Sequence, residues 1–365
     1  MSAPTSFFGH DPTSLRTWCA DHGLPGFAAD QIIDWVYTKG VSDPAAMSNL
    51  SKDHRMLIAE TLPILEGSEA RRQVASDGTR KLLLEWPDGS GRAASTETVL
   101  IPAETRRTAC VSSQIGCPVR CTFCASGMEG LDGNLTASRI VEQAWRLGQL
   151  GDGRVTNVVF MGMGEPLANF SAVAGAITTL NAPWGLGIGA RRITVSTVGL
   201  PKAIRRLIAF PIPVTLALSL HAPEDALRRQ LIPWAQFATI GEILAACSDY
   251  FEATGREITL EYLLLRGVND RVHHAKQLAE IATTLRCNIN LIRYNAVEGL
   301  PFERPLDEDV HAFQATLRSR RINVHIRASR GRDITAACGQ LRRETAVQVT
   351  REGGDGESPA EAKPG

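Results

Sequence analysis

The sequence predicts an α/β fold: a partial (β/α)6 barrel preceded by a small helical domain and a short β-hairpin linker. From residue 108 onward, apolar strand-like runs alternate with amphipathic helical runs, which is typical of a parallel βα architecture. About six such units are present, too few for a closed eightfold barrel. Residues 12–70 have helical periodicity, and the turn pairs Asp77-Gly78 and Asp88-Gly89 within residues 71–104 are typical of β-hairpins.

Within this plan, each element follows from its local pattern. Helices are predicted over residues 14–22, 28–37 and 50–62, and hairpin strands over 81–86 and 97–101. Barrel strands are predicted over residues 108–113, 155–161, 192–197, 214–220, 257–265, 288–294 and 322–327. Helices are predicted between them over residues 136–150, with Thr136 or Ser138 as N-cap, and over 171–180, 200–209, 240–253, 273–285 and 306–318.

The domain organisation predicted from these elements has four parts. Residues 1–70 form a helical accessory domain, 71–104 a linker, 105–345 the barrel with a C-terminal segment, and 346–365 a disordered tail rich in Gly, Pro and Glu. The 365 residues, 44% apolar and 21% charged, are typical of a globular protein. No apolar run approaches the roughly 20 residues of a membrane helix, and no secretion signal begins the chain, so we expect a cytoplasmic protein.

Four of the eight cysteines lie within fifteen residues, at Cys110, Cys117, Cys121 and Cys124. The last three have the spacing C-x3-C-x2-C, which can bring three thiolates to one side of a short loop. Four thiolates would close a zinc site or fill a cubane iron–sulfur cluster, whereas three leave one iron free for a substrate ligand. In a reducing compartment we expect cluster ligands or catalytic thiols rather than a disulfide framework. The alternative is a set of buried or zinc-binding cysteines.

Polar or glycine-rich segments follow several predicted strands, where a barrel places its ligand. After the strand at 155–161, Gly164 allows close backbone approach and Glu165 could accept a hydrogen bond from an amine, although an ordinary βα turn has the same pattern. Comparable strand-end candidates are Ser196, Ser219, Leu220, His221 and Asn295. For each of these, a purely structural role is the alternative.

Cys338 lies beyond the last predicted strand, in an arginine-rich region. Eight arginines and one acidic residue, Asp333, occur between Arg318 and Arg343, in a chain whose formal net charge is zero. Such a patch should lower the pKa of a thiol and attract the phosphates of a polyanion such as RNA or DNA. The alternatives are a cysteine that only fills the core and a solvated helix face.

Five motifs together resemble the RlmN/Cfr family of radical S-adenosylmethionine (SAM) RNA methyltransferases. The cysteine spacing, with the aromatic Phe123 before the last cysteine, resembles the radical SAM superfamily. The five motifs lie at residues 110–124, 162–166 (GMGEP), 219–223 (SLHAP), 267–270 (GVND) and 336–341 (AACGQL). The similarity extends from about residue 12 to 345, and the helical front end resembles the family's accessory RNA-binding domain.

The resemblance implies cofactors and a site. A [4Fe-4S] cluster would be held by Cys117, Cys121 and Cys124. SAM would bind the fourth iron and contact Gly164, Glu165, Ser196, Ser219, Leu220, His221 and Asn295. The family methylates an adenosine of 23S rRNA, at C-2 or C-8 of adenine 2503, and in some members a tRNA adenosine. An external electron donor such as flavodoxin or ferredoxin is implied, and we expect a monomer.

The resemblance also implies three catalytic residues. Cys338 would take a methyl group from one SAM, and a radical from a second SAM would remove a hydrogen atom from it, so that the carbon adds to the adenine. Cys110 would release the product by forming a disulfide with Cys338. Glu97 corresponds to the family's proposed proton acceptor, although an exposed strand glutamate is the alternative.

Two departures from the family pattern leave the substrate and the ring position open. Gly133 replaces a basic residue that commonly precedes Asn-Leu-Thr, which predicts the loss of a phosphate contact in this chain. Arg293-Tyr294-Asn295 is more similar to the Cfr branch than to RlmN. We favour C-2 methylation because it is the widespread housekeeping activity. C-8 methylation and a non-catalytic, metal-stabilised RNA-binding protein are the alternatives.

Overall fold

A computed structural model describes residues 6–87, 94–151 and 153–342. The predicted turn at Asp88-Gly89, Arg343 and the predicted tail at 346–365 lie outside these residues. The front end is helical, as predicted, with α1 (Pro12–Asp21), α2 (Phe27–Ile33) and α3 (Lys52–Thr61). Helix α1 begins with Asp11 and Ser14 in a reciprocal capping box, and α2 continues as a π-helical turn, Asp34–Thr38.

One ten-stranded sheet forms the centre of the molecule. Its first three strands are antiparallel: β1 (Ser68–Val74), β2 (Arg80–Trp86) and β3 (Ala94–Pro102). Strand β4 (Arg107–Cys110) pairs antiparallel with β3 and parallel with β7 (Asn157–Phe160). The predicted hairpin region thus continues the barrel sheet. Strand β1 was not predicted, because its sequence, SEARRQV, is mostly polar.

Seven parallel strands form the open barrel. In sheet order they are β4, β7 (Asn157–Phe160), β8 (Ile193–Thr197), β9 (Thr215–Ser219), β10 (Ile258–Leu264), β11 (Cys287–Arg293) and β12 (Val324–Ile326). The connecting helices are α4 (Ala137–Gly148), α5 (Phe170–Asn181), α6 (Pro201–Ile208), α8 (Ile240–Thr254), α9 (Val272–Thr283) and α10 (Asp307–Ser319). This confirms the predicted incomplete barrel, whose carboxyl strand ends lie on one side.

Three short elements around the carboxyl strand ends were not predicted. A two-stranded hairpin, β5 (Gln114–Gly116) and β6 (Leu131–Asn134), encloses the cysteine loop, and α7 (Asp225–Leu231) follows β9. Thr136, one of the two predicted N-caps of α4, accepts a hydrogen bond from the Arg139 N–H at 3.3 Å. The main core lies between the sheet and its helices and includes the buried Trp86 and Phe160. Among the described residues, no helix has the length and apolar character needed to cross a membrane.

Candidate active site

The cysteine loop is the connection between β5 and β6. Gln114 and Asn134 pair across the base of this hairpin, and the Gln114 side-chain amide donates to Asn134 Oδ1 at 2.7 Å. At the tip, the Thr122 N–H donates to the Leu231 carbonyl oxygen at 3.0 Å, which ties the loop to α7. The loop is therefore fixed at its base and at its tip, with Cys117, Cys121 and Cys124 between those points.

All three of these thiols line one open-mouthed cavity at the carboxyl ends of the strands. Each cysteine is partly exposed, whereas Phe123 between them is buried. Three thiols that line one cavity suit a cubane cluster, in which each thiolate binds its own iron.

The protein around the loop disfavours free thiolates. Burial raises the pKa of Cys117 to about 12, and it raises the pKa of Cys121 and Cys124 as well. A metal ligand must be deprotonated, so the positive charge of bound iron is what would stabilise the three sulfurs as thiolates. The donor set and its surroundings thus fit an iron–sulfur cluster.

Arg228 is a buried cation beneath the cysteine loop that the sequence analysis missed. Its guanidinium donates to the carbonyl oxygens of Leu220 (3.1 Å), Ser219 (3.2 Å) and Val198 (2.5 Å). Burial lowers the pKa of Arg228 to about 10, while its positive charge opposes the rise in the pKa of Cys121. Arg228 therefore joins the ends of two strands and places positive charge near the proposed cluster ligands.

Gly164 and Glu165 line the cavity, as predicted. Gly164 has φ of +102°, and a Cβ there would lie 2.7 Å from Gln114 Cβ and 2.8 Å from Ser113 Oγ, so only glycine fits. The buried Glu165 carboxylate accepts from the backbone N–H groups of Leu167 (3.0 Å) and Val198 (2.9 Å). Burial raises the pKa of Glu165 to about 7.

Ser196, Ser219 and His221 also line the cavity. The two serine hydroxyls lie 3.3 Å apart on neighbouring strands. His221 has φ of +60°, and its Nδ1 accepts from the Leu263 N–H at 3.0 Å, which leaves Nε2 as the protonated nitrogen of a neutral ring. Burial and the positive charge of Arg228 lower the pKa of His221 to about 3, so the ring stays neutral.

Leu220 and Asn295 are buried and do not form part of the cavity wall. Leu220 contributes its carbonyl oxygen to Arg228. The Asn295 side-chain oxygen accepts from Arg304 at 3.4 Å. Leu220 could therefore contact a bound molecule only through its backbone atoms. Asn295 could do so only if its side-chain amide changed orientation.

Cys338 lines the same cavity as the three loop cysteines, more than 200 residues away in the chain. Its side chain is exposed to the cavity. The expectation that nearby arginines lower its pKa was wrong in direction: the surrounding protein atoms raise the pKa, and Arg327 only partly opposes this. Part of the predicted arginine patch is elsewhere, because Arg318, Arg320 and Arg321 lie at the carboxyl end of α10, which leads to the opposite end of the sheet, where β12 begins.

Glu261 is a cavity residue that the sequence analysis missed, and Arg327 is a member of the predicted arginine patch that lines the cavity. Arg327 Nη1 lies 3.3 Å from Glu261 Oε2, and Asn290 donates to the other carboxylate oxygen at 2.9 Å. Both ionic residues lie on the wall near Cys338. Glu261 lies in the middle of β10 and Arg327 directly follows β12, and the strand pattern alone does not show that the two are paired.

Cys110 and Glu97 lie behind the cavity wall and not on it. Cys110 is buried at the end of β4, where burial, and to a lesser extent Cys338, raise its pKa to about 12. Glu97 is 1% exposed, so its interpretation as an exposed strand glutamate is wrong. Its carboxylate lies 2.5 Å from Lys81 Nζ and accepts from the Arg342 N–H at 2.8 Å. All eight cysteines are free thiols.

Comparisons with known proteins agree with this geometry. A model of the radical SAM superfamily matches residues 111–279, and a model of the ribosomal RNA large subunit methyltransferase N-terminal domain matches residues 5–64. The first match spans the cysteine loop and the strand ends through α9. Radical SAM proteins use a [4Fe-4S] cluster and SAM, and these are therefore the cofactors of this protein.

Two relatives are named probable dual-specificity RNA methyltransferase RlmN. The chain is 44% identical to the protein from Gloeobacter violaceus over 341 residues, which cover 93% of this chain and 96% of the relative. It is also 44% identical to the protein from Thermosynechococcus vestitus over 335 residues, which cover 92% and 97%.

A crystal structure of a radical SAM methyltransferase from Sphaerobacter thermophilus superposes with a TM-score of 0.88. The two chains are 42% identical, and the match covers 93% of this chain and 99% of the other. Identity of this order over nearly the whole length, with both family models in place, leads to one conclusion. The chain belongs to the RlmN family of radical SAM RNA methyltransferases.

Proposed function

We propose that the protein methylates C-2 of an adenine in RNA, through a methyl group carried on Cys338. The proposed substrates are adenine 2503 of 23S rRNA and a tRNA adenosine. The names of the relatives describe dual-specificity RNA methyltransferases, which supports two RNA classes. We propose that the protein acts as a monomer in the cytoplasm, with flavodoxin or ferredoxin as electron donor.

One observation supports this proposal most strongly. Cys338 shares a single cavity with Cys117, Cys121 and Cys124, and it is close enough to Cys110 to contribute to the raised pKa of that thiol. A structural cysteine would have no reason to face the cluster loop from the far end of the chain. A methyl-carrying cysteine must lie there, because its carbon has to reach the radical source.

The cofactors supply the radical chemistry when bound: the cluster and SAM provide a 5′-deoxyadenosyl radical, which removes a hydrogen atom from a carbon. The ring carbon C-2 of adenine is not nucleophilic enough to take a methyl group directly from SAM, so this route is needed. The proposed SAM contacts are Gly164, Glu165, Ser196, Ser219, Leu220, His221 and Asn295. Glu165 would have to be ionised to hold a SAM ammonium group, and that positive charge would itself favour the carboxylate.

Cys338 carries the carbon in this proposal. Its sulfur displaces S-adenosylhomocysteine from one SAM and acquires the methyl group, while its own proton goes to solvent. After hydrogen-atom removal, the same carbon bonds to the adenine. The adduct would give up its unpaired electron, which the oxidised cluster could accept, and Glu97 accepts the ring proton. The Cys110 thiolate then attacks Cys338 Sγ, which forms a disulfide and breaks the bond from sulfur to the transferred carbon, and that carbon takes up a proton to become the methyl group. Cellular thiols return the disulfide to two thiols.

The ring position is proposed on the similarity to RlmN relatives, and the main alternative is C-8. The segment Arg293-Tyr294-Asn295 favours that alternative. Mass spectrometry of rRNA nucleosides from cells with and without the gene separates the two, because 2-methyladenosine and 8-methyladenosine are distinct products. Appearance of 8-methyladenosine alone would overturn the C-2 assignment.

The role of the thiols is tested with two variants reconstituted without oxygen. We expect Cys338→Ala to retain the cluster and to lose RNA methylation. We expect Cys110→Ala to accumulate a covalent enzyme–RNA adduct, because the step that releases the RNA is missing. Mass analysis of the trapped RNA also identifies the target adenosine.

Two results would contradict the proposal. Loss of the cluster in Cys338→Ala would mean that this residue supports the cluster and not the transfer. Clean turnover by Cys110→Ala would exclude Cys110 from the reaction. Failure of the wild-type protein to form 5′-deoxyadenosine from SAM would favour a non-catalytic, metal-stabilised RNA-binding protein.

A further inference from the structure

We infer that the buried Lys81–Glu97 ion pair is a positioning device that holds the segment carrying Cys338 against the sheet. This inference rests on the proposed function only for the importance of Cys338. Residues 330–342 are called the Cys338 segment below. The face of strands β2, β3 and β4 that bears Lys81, Glu97, Val99 and Cys110 is called the strand platform.

The register of the strands places these four side chains on one face. Lys81 is opposite Val99, Leu83 is opposite Glu97, and Val99 is opposite Cys110. Residues directly opposite each other, and residues two apart on one strand, point to the same side of a sheet. Lys81 and Glu97 are therefore diagonal neighbours on the face that also bears Cys110.

The ion pair contacts the Cys338 segment on both sides of the cysteine. Before Cys338, Lys81 Nζ donates to Thr335 Oγ1 at 3.2 Å. After Cys338, Glu97 Oε2 accepts from the Arg342 N–H at 2.8 Å. The two charged groups lie 2.5 Å apart, with side-chain exposures of 4% and 1%. A single buried pair thus fixes the two ends of an eight-residue stretch centred near Cys338.

Apolar and turn contacts align the same segment with the platform. Ala336 and Leu341 pack with Val99, Cys110 and Met163 in a small separate core. At the start of the segment, the Gly331 N–H donates to Asp77 Oδ2 at 3.1 Å, and the Ser76 N–H donates to Asp333 Oδ2 at 2.8 Å. Asp77 and Ser76 belong to the β1–β2 turn. The antiparallel extension of the barrel therefore contacts the Cys338 segment along most of its length.

The segment needs such support because its backbone is irregular. It has only one short turn of 3₁₀-helix, Arg332–Ile334, and three of its residues have left-handed φ: Gly331 (+62°), Thr335 (+50°) and Gly339 (+85°). A β-branched residue rarely adopts this conformation unless its surroundings impose it. Thr335 is the residue to which Lys81 donates, so the ion pair is bound where the backbone is most strained.

The test measures hydrogen exchange of the Cys338 segment in the purified, cluster-containing protein, without SAM or RNA. Lys81→Met should accelerate exchange in peptides covering residues 331–342 by about tenfold or more, while exchange in α4 and α8 is unchanged. Thr335→Ala removes one acceptor at an exposed position and should give a smaller acceleration in the same peptides. The matched control is Arg146→Met, which breaks the buried Arg146–Glu142 pair away from the platform.

A second measurement connects position to chemistry. We expect methylation of Cys338 by SAM, read from the intact protein mass, to slow by about tenfold or more in Lys81→Met and to stay within about twofold in Arg146→Met. If Lys81→Met does not fold because Glu97 stays buried and charged without its lysine partner, the double variant Lys81→Met/Glu97→Gln removes both charges. It should fold and still show faster exchange at residues 331–342.

The outcomes separate this inference from the proposed function. Unchanged exchange at residues 331–342 in both Lys81→Met and the double variant would overturn the positioning role. An equal acceleration in Arg146→Met would also overturn it, because the effect would then be general destabilisation. Selective acceleration in a protein that never methylates RNA would support the positioning role while the proposed function failed.

Discussion

The cavity is bounded by two segments that are held in place in different ways. The cysteine loop between β5 and β6 carries its own hairpin, so its shape is set mainly by residues within 21 positions of one another. The Cys338 segment has almost no regular structure of its own and depends on contacts with β1–β4. It also depends on the cysteine loop, because the Ala125 N–H donates to the Gly339 carbonyl oxygen at 2.8 Å and Ser126 Oγ donates to the Leu341 carbonyl oxygen at 2.5 Å.

This difference indicates that the two segments serve different parts of the reaction. The three sulfurs that a cluster requires in a fixed relation are carried by a loop that has its own hairpin. A cysteine that must be placed opposite that cluster, from the far end of the chain, is served by long-range contacts. Damage to the loop should therefore remove every activity, and damage to the supports of the Cys338 segment should remove only the transfer step.

The largest expected effect comes from the loop itself. In Cys121→Ala, cluster absorbance, 5′-deoxyadenosine formation and RNA methylation should all fall to background. The reason is that a cluster bound by only three thiolates is not retained when one of them is removed. Iron content and absorbance after anaerobic reconstitution measure this. Cys247→Ala, in the core of α8, is the control and should keep all three properties. Retention of the cluster by Cys121→Ala would exclude this residue as a ligand.

A smaller and selective effect is expected from Gly331→Ala. A Cβ at Gly331 would lie 2.8 Å from Ala336 Cβ and 2.9 Å from Thr79 Cγ2, so the Cys338 segment must shift. A displacement of about 1 Å can cost a reaction on the order of a hundredfold. We expect RNA methylation to fall by about tenfold to a hundredfold, with cluster content unchanged.

The control for this substitution is Gly255→Ala. Gly255 has a similar φ of +66° but nothing within 4 Å of its Cβ position, so the variant bears only the backbone strain of about 1 kcal/mol. Methylation by Gly255→Ala should stay near the wild-type rate. Equal losses in the two variants would show that strain, and not displacement of the segment, is responsible.

The smallest expected effect concerns RNA affinity at the loop hairpin. Gly133 on β6 replaces a basic residue common in the family, and a Cβ there would meet only Ile115 Cδ1 at an ordinary 3.7 Å. Gly133→Lys should therefore fold and bind RNA a few-fold more tightly, with a steeper dependence of affinity on salt. Filter binding at two salt concentrations measures this. An unchanged salt dependence would place the phosphate backbone away from Gly133.

The two segments also differ in how much of their structure could be predicted from the sequence. The three ligands of the cysteine loop could be predicted because their spacing is local, and the strand-end residues Gly164, Ser196, Ser219 and His221 because parallel strands all end on one side. The support for Cys338 could not be predicted in this way. Lys81, Glu97 and Arg342 come together only through strand register and a return of the chain after 245 residues.

Of the properties predicted from local sequence patterns, the burial of individual side chains was predicted least well. Glu97 lies in a run of four consecutive polar residues, 95–98, which has the pattern of an exposed strand, yet it is buried because the Cys338 segment covers that face. The pKa of Cys338 was misjudged because burial raises it by more than the nearby Arg327 lowers it. Arg228 and Glu261 were missed because a single charged residue within a helix or a strand does not indicate its partner in space.

The order of the two segments along the chain has a consequence for maturation. A ribosome completes the cysteine loop about 200 residues before the Cys338 segment, and domains fold from the amino end during synthesis. Until its last part emerges, the growing protein lacks one wall of the future pocket. Iron and sulfide therefore have their widest access to the three cysteine sulfurs while the chain is still being synthesised. Once the Cys338 segment has been released and has folded, that access is narrower.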